Sequence, residues 1–134
     1  MAESAPGRSC RPRVHGAMFL AFGAMSGALG AHALDGVLTP DRLDSWATAS
    51  LYMMVMGASL MGAQGRHNSH AAERALRVVT AGTVLFSGSI MALVMLATFD
   101  MAPGLRRALG PMTPTGGVLM IGGWVVWAWL HRKH

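Results

Sequence analysis

A chain of 134 residues is long enough for one domain. Of these residues 52% are hydrophobic and 13% are charged, about half the charged share of an average soluble domain. The net charge of +5 is not arranged as a basic stripe interleaved with aromatic residues, which argues against a nucleic-acid partner, and the single cysteine, Cys10, excludes an internal disulfide and a cysteine metal site.

Residues 1–13 form a basic N-terminal segment. Arg8, Arg11 and Arg13 are accompanied by a single acid, Glu3. A segment rich in arginine and poor in acids is typical of mitochondrial presequences. We therefore expect a loosely structured basic tail, and we favour the mitochondrial inner membrane, with a bacterial plasma membrane as the alternative.

Residues 14–34 contain no Asp, Glu, Lys or Arg. A helix of this length reaches about 30 Å, the thickness of the hydrocarbon core of a bilayer. Gly23, Gly27 and Ala31 recur at every fourth position, and such small residues let a second helix approach closely in lipid. The segment is predicted to be the first membrane span.

Three further apolar segments predict spans at about 46–63, 78–99 and 115–130. Gly36 is expected to end the first helix, and Thr39-Pro40 to begin the second, with the threonine hydroxyl as its cap. Thr113-Pro114 repeats this start pattern before the last span. Small residues are predicted to form the helix-packing positions, at Gly23, Gly27, Gly30, Ala31, Gly88, Gly116, Gly117, Gly122 and Gly123.

Two side-chain roles follow from these boundaries. Trp46 and Tyr52 lie near the start of the second span, where amphipathic rings favour the membrane interface. Glu73 and Arg77 are four residues apart and are expected to pair on an emerging helix.

The distribution of Lys and Arg predicts the topology. Eight of the 11 lie in the N-terminal tail, the 64–77 connection and the C-terminal tail 131–134, which four spans would place on one side. Positive residues stay on the cytoplasmic or matrix side, so both termini are expected there. Short connections favour antiparallel neighbours. The predicted fold is therefore all-α, an integral membrane up-down bundle of four transmembrane helices in domain 14–130.

The polar residues allow few chemical sites. His32 and Asp35 lie one turn apart near the end of the first span, which could serve a proton relay or a ligand; a histidine bonded to a loop carbonyl is the structural interpretation. His15 and His32 lie on one helix, so they cannot hold a haem between them. Two pairs with i, i+3 spacing could form a surface zinc site, although solvated histidines are favoured: His67/His70 and His131/His134.

Twelve methionines could suggest a copper(I) site, but without a partner cysteine they are interpreted as packing residues. We expect no cofactor.

Four motifs follow one another along the hydrophobic part of the chain: G-A-L-G-A-H-A-L at 27–34, L-F-S-G-S at 85–89, L-G-P-M-T-P-T-G-G at 109–117 and G-W at 123–124. Together they resemble the transmembrane protein 256 family, also known as domain of unknown function 423. The resemblance implies a small four-span membrane protein without an established catalytic activity. Members often have a Tyr-Gln-x-x-His-like pattern in the second span, where this chain has Tyr52, Met53 and Met56.

The predicted spans carry no charged side chain, although proton-driven exporters and pumps usually keep one there. We therefore expect no enzyme. The favoured function is a non-catalytic accessory subunit of a respiratory-type inner-membrane complex, with lipids and other membrane subunits as partners. The alternative is a small permease or channel for a neutral solute, with serine hydroxyls along its path: Ser26, Ser59, Ser87 and Ser89.

Overall fold

The computed structural model describes residues 11–63 and 69–132, and within these ranges the chain forms five helices and no strand. The prediction of an all-helical fold is confirmed. The predicted tails 1–13 and 131–134 lie mostly outside the described residues. The helices are α1 Arg11–His32, α2 Pro40–Gly62, α3 His70–Thr98, α4 Pro103–Leu109 and α5 Met112–His131.

The first two helices are joined by a short turn. Gly36 adopts a left-handed conformation (φ +81°) three residues before Thr39, which is available to glycine without a steric cost. As predicted, α2 begins at Pro40 with Thr39 in the cap position, but the threonine side chain makes no capping hydrogen bond.

The third helix is longer than the apolar segment that predicted it. It begins at His70 because Ser69 caps it, its hydroxyl accepting a hydrogen bond from the Ala72 backbone N–H (3.1 Å). The expected pair between Glu73 and Arg77 is present at 3.8 Å. The charged turns before residue 78 are therefore helical as well.

The connection after α3 contains the short helix α4, which the sequence analysis did not predict. Two non-glycine residues, Asp100 (φ 50°) and Ala102 (φ 46°), take left-handed conformations that reverse the chain. Arg106 on α4 reaches back to the Asp100 carboxylate at 3.2 Å. The helix α5 then begins at Met112, so the start predicted at Thr113-Pro114 is two residues late.

The four long helices pack as two close pairs, α1 with α2 and α3 with α5, joined through α2 and α3. Among the described residues no contact joins the backbones of α1 and α5. The outer faces of these two helices are therefore left uncovered by the rest of the chain.

The interior is small, and most large apolar side chains point outward. Two buried apolar clusters lie towards opposite ends, one around Trp46 and Met91 and one around Leu60 and Val79. Between them, the centre of α3 places the hydroxyls of Thr83 and Ser87, both 0% exposed, inside the protein. Meanwhile α1 and α5 expose Met, Phe, Val and Ile side chains, a surface larger than soluble monomers normally leave in water.

Two helical segments are long and apolar enough to cross a membrane, Arg13–His32 and His70–Thr98. In the described part of the chain α2 and α5 are not among them. The Ser, Thr and Gly residues of α2 and the Gly and Trp residues of α5 lower the mean hydropathy of these helices. The charged residues of α2 stand in its first two turns, at Asp41, Arg42 and Asp44.

Candidate functional site

The contact between α1 and α2 depends on glycines that repeat every seven residues. A Cβ atom added to Gly16 would lie 2.8 Å from the Gly57 carbonyl oxygen, and one added to Gly57 would lie 2.7 Å from the Gly16 oxygen. A Cβ at Gly23 would approach the Ser50 oxygen at 3.0 Å, and one at Gly30 would meet the Trp46 ring at 2.7 Å. Backbone therefore touches backbone along this pair.

The contact between α3 and α5 is built in the same way. A Cβ at Gly82 would lie 2.8 Å from the Gly116 carbonyl oxygen, and the reverse distance is also 2.8 Å. One heptad further along α5, a Cβ at Gly123 would meet the Val79 side chain at 2.6 Å. A seven-residue repeat keeps one face of a helix against its partner with a left-handed crossing.

A hydroxyl–hydroxyl hydrogen bond joins each pair of helices. Ser26 and Ser50 lie 3.0 Å apart between α1 and α2, and Ser89 and Thr113 lie 2.6 Å apart between α3 and α5. Such hydrogen bonds between membrane helices contribute about 0.6 kcal/mol on average. Each pair is thus fastened by polar groups at one point and by glycine contacts along its length.

Some of the predicted packing residues lie in close helix contacts, and others do not. Gly23, Gly30, Gly116 and Gly123 lie in close helix contacts, whereas Gly27 and Gly117 have their nearest neighbours at 3.8 Å. Around Gly88 and Gly122 no described atom lies within 4 Å of an added Cβ, and Ala31 is exposed.

The helix contacts follow a seven-residue repeat, whereas the predicted ridge on α1 followed a four-residue repeat. Residues four apart drift around a helix, whereas residues seven apart return to nearly the same face. The contact on α1 follows Gly16, Gly23 and Gly30, and the first of these was not singled out from the sequence. Gly57 and Gly82 were also missed. Gly57 lies seven residues after Ser50, and Gly82 lies seven residues from both Ala75 and Ser89, so this repeat is visible in the sequence.

Trp46 does not serve as an interface anchor. Its side chain is 7% exposed, and its indole Nε1–H donates to the Ser26 carbonyl oxygen at 2.7 Å. The expectation of an interfacial ring at this position is therefore wrong, because the indole stacks over Gly30 and ties α2 to α1. Tyr52 is exposed and contacts the Phe86 ring, with the ring centroids 5.0 Å apart.

Met56 takes part in a contact that the sequence analysis did not find. The Trp124 indole Nε1–H donates to the Met56 sulfur at 3.2 Å, which links α2 to α5. Met56 stands where the family pattern has a polar residue, and its thioether still accepts a hydrogen bond. Met53 is buried, and no hydrogen bond to its sulfur is found within residues 11–63 and 69–132.

His32 and Asp35 are not brought together. Both are exposed, and no hydrogen bond or ion pair joins them in the described ranges. The carboxylates of Asp35 and Asp44 line a groove of about 300 Å³ whose wall includes Gly30 and Trp46. The groove lies at the end of the α1–α2 pair that carries the short turn.

The described residues also form no cluster of metal-binding side chains. Across residues 11–63 and 69–132, no three His, Cys, Asp or Glu side chains come close enough to share a metal ion. His70 and His131 belong to the two histidine pairs weighed for zinc, and their partners His67 and His134 lie outside the described residues, as does Cys10. The His131 ring stacks on Trp127, with the ring centroids 4.2 Å apart.

Comparison with known proteins finds a family that this chain matches. Residues 26–117 match the family described as "Protein of unknown function (DUF423)". A UPF0382 membrane protein of Schizosaccharomyces pombe is 39% identical over 100 residues, which cover 73% of this chain and 81% of the relative. No solved structure matches the chain.

Bacterial relatives match over a longer stretch. UPF0382 membrane proteins of Staphylococcus aureus and Staphylococcus epidermidis are each 34% identical over 118 residues, covering 81% of this chain and 90% of the relative. Relatives that are named membrane proteins in bacteria and in a yeast, together with the outward-facing apolar side chains, make this an integral membrane protein.

Proposed function

This chain belongs to the DUF423 family, and from that premise we propose that it is a non-catalytic accessory subunit of a larger inner-membrane assembly of the respiratory type. In this proposal all four long helices span the bilayer as an up-down bundle. The role of the chain is to present helix faces to neighbouring membrane subunits.

The observation that carries the proposal is the outward face of α1. Five exposed alanines follow one another at alternating spacings of four and three residues, which is the spacing of a helix-packing seam. They are Ala17, Ala21, Ala24, Ala28 and Ala31. Small residues are enriched where membrane helices meet, because they let the backbones approach.

A second stripe runs beside the alanines. Met18, Phe22, Met25 and Leu29 are between 46% and 62% exposed and repeat with the same spacing. In packed helices, large side chains act as knobs that insert into holes on the facing helix. A row of large side chains beside a row of alanines offers both knobs and holes to a second helix. The inner glycine face of α1 is already occupied by α2, so this outer face is the one available to another protein.

The absence of charge inside the helices supports a structural role. From Val14 to Ala31, α1 carries no Asp, Glu, Lys or Arg, and the same is true of α3 from Val78 to Thr98. Moving a proton or an ion through lipid normally needs such a group. The paired hydroxyls of Ser26, Ser50 and Ser89 fasten helices to each other.

The experiment compares two alanine substitutions. In a native membrane preparation solubilised in mild detergent, the chain is expected to migrate within a larger assembly on a native gel. Ala24→Leu fills the seam and should release the chain, whereas Ala58→Leu, at an exposed alanine of α2, should leave the assembly intact. A wild-type chain that migrates alone would overturn the proposal, and so would equal behaviour of the two variants.

A small permease for a neutral solute is the second candidate. It is favoured by the hydroxyl groups at the centre of α3, where Thr83 donates to the Val79 carbonyl oxygen (2.9 Å) and the Ser87 hydroxyl is buried without a partner in the described structure. A solute path would use Ser87. Liposomes containing the purified chain would then take up the solute, and Ser87→Ala would abolish the uptake.

The proposal also names the membrane in which the protein lies. An inner mitochondrial membrane is favoured by the arginine-rich, acid-poor start of the sequence, and a bacterial plasma membrane is the alternative. In either case both termini face the matrix or the cytoplasm, the side that retains positive residues.

A further inference from the structure

A groove between α3 and α5 combines an apolar floor with a cationic rim. Its volume is about 550 Å³, and its walls include Ala71, Val78 and Val126, with Gly122 on the α5 side. His70 and Arg74 lie at the edge of the groove nearest the start of α3. The groove therefore changes from apolar to positively charged along its length.

The charge at the rim is available to a ligand. The neighbouring carboxylate of Glu73 is engaged by Arg77 at 3.8 Å. Arg74 is exposed and makes no ion pair with any residue that the structure describes. An arginine with five N–H donors and no partner is suited to a phosphate group, which it can bind with two parallel hydrogen bonds.

The groove exists because Gly122 has no side chain. A Cβ at Gly122 would meet no described atom within 4 Å, while the adjacent Gly123 is in close contact with Val79. Gly123 thus brings the two helices together, and Gly122 leaves room beside them. An acyl chain is the group in a membrane that fills an apolar groove of this kind.

We propose that this groove is a binding site for an anionic phospholipid, with an acyl chain against Gly122 and Val126 and the phosphate on Arg74. The rim extends from His70, the first residue of α3, to Arg74 in its second turn, at the end of the protein where α1 begins and α5 ends. Basic pockets between membrane helices on the cytoplasmic or matrix side are known to hold anionic headgroups. The inference shares the membrane placement of the proposed function but does not depend on a partner subunit.

The test measures lipid retention by the purified full chain in mild detergent, using native mass spectrometry. The probes are phosphatidylglycerol and phosphatidylcholine with identical acyl chains. The wild-type chain is expected to retain one phosphatidylglycerol in preference to phosphatidylcholine. Arg74→Gln should reduce this preference about fivefold, because one cation near an anionic headgroup contributes about that ratio.

Two controls are matched to the substitutions. Arg13→Gln removes the same charge at the same end of the protein, from an exposed side chain of α1 that does not line the groove, and should change the preference less than twofold. Gly122→Leu fills the groove and should lower phosphatidylglycerol retention at least as far as Arg74→Gln does. Gly88→Leu adds the same side chain at a helical glycine that also has open space around it, and should retain the lipid. Far-ultraviolet circular dichroism checks that each variant is folded.

Equal retention of the two lipids by the wild-type chain would overturn the inference, as would equal losses in Arg74→Gln and Arg13→Gln. Displacement of the bound lipid by millimolar inorganic phosphate would overturn the role of the acyl chain. Since the isolated chain is used, each of these results is independent of the native-gel test of the proposed assembly.

Discussion

Single glycines decide how closely the helices of this protein approach. Gly82 and Gly116 face each other so that a Cβ on either would lie 2.8 Å from the carbonyl oxygen of the other. Backbone atoms cannot move aside as a flexible side chain can. The two positions therefore tolerate no larger residue without a shift of a whole helix.

Gly82→Ala is expected to destabilise the protein by about 1–2 kcal/mol. Overpacking a close contact costs about 1–3 kcal/mol, and the higher helix propensity of alanine returns about 1 kcal/mol or less. The measurement is SDS-induced unfolding of the purified chain in detergent micelles, followed by circular dichroism. Gly88→Ala is the matched control, since it lies in the same helix with open space around the added Cβ, and it should be as stable as the wild type or more stable. Equal stability losses in the two variants would contradict this account of Gly82.

The sequence identified several residues of these contacts but not their period. Gly23, Gly30, Gly116 and Gly123 could be proposed because small residues in an apolar segment are unusual enough to need a reason. Spacing alone could not distinguish a four-residue ridge from a seven-residue one, since Gly23 belongs to both. That choice depends on the crossing angle of the two helices, which is a property of the assembled pair.

At the scale of elements, backbone chemistry predicted the start of α2, although the same Thr-Pro pattern placed the start of α5 two residues late. The start of α2 at Pro40 followed from proline in the first turn, and the preceding turn followed from Gly36. The sequence was a poorer guide where hydropathy was used as a boundary. The start of α3 at His70 lies well before the apolar segment, because a capped helix continues through polar residues.

The hydroxyl bond between α1 and α2 allows a prediction for a pair of elements. In a double-mutant cycle of Ser26→Ala and Ser50→Ala, we expect a coupling energy of about 0.6 kcal/mol, with about 1.7 kcal/mol as the upper bound. The coupling is expected to be modest because two hydroxyl protons are shared among three contacts. Each hydroxyl also has a carbonyl acceptor in its own helix, Gly23 at 3.1 Å from Ser26 Oγ and Trp46 at 3.0 Å from Ser50 Oγ. The hydroxyl that donates across the pair therefore gives up its own carbonyl acceptor.

The control cycle combines Ser26→Ala with Ser59→Ala. Among the residues that the structure describes, the Ser59 hydroxyl bonds within its own helix, to the Val55 carbonyl oxygen, so the two substitutions should be additive within error. SDS titration of the four chains of each cycle provides the free energies. Additivity of Ser26→Ala with Ser50→Ala would show that the hydroxyl contact contributes nothing to the α1–α2 pair.

At the scale of the whole molecule, small residues dominate the interior and large apolar residues dominate the surface. Within the described ranges, glycine, alanine, serine and threonine hold most of the buried positions, while most of the large apolar side chains lie outside the two buried clusters. This arrangement is stable only where the surroundings are as apolar as the surface. Arginines mark both ends of the bundle: Arg13, Arg74 and Arg132 lie at the end where α1 begins and α5 ends, and Arg42, Arg106 and Arg107 lie at the end with the two turns.

The four-span topology is tested by the accessibility of single cysteines. In a chain with Cys10→Ser, Val37→Cys and Gly104→Cys are each expected to react with a membrane-impermeant maleimide from the periplasm or intermembrane space. A cysteine at Ser69 should be protected there and should react only after the membrane is opened. The expectation follows from four antiparallel helices with both turns on the side opposite to the termini, and both Val37 and Gly104 are exposed. If cysteines at Ser69 and Val37 were labelled from the same side, α2 would not cross the membrane, and both the topology and the proposed seam on α1 would have to be abandoned.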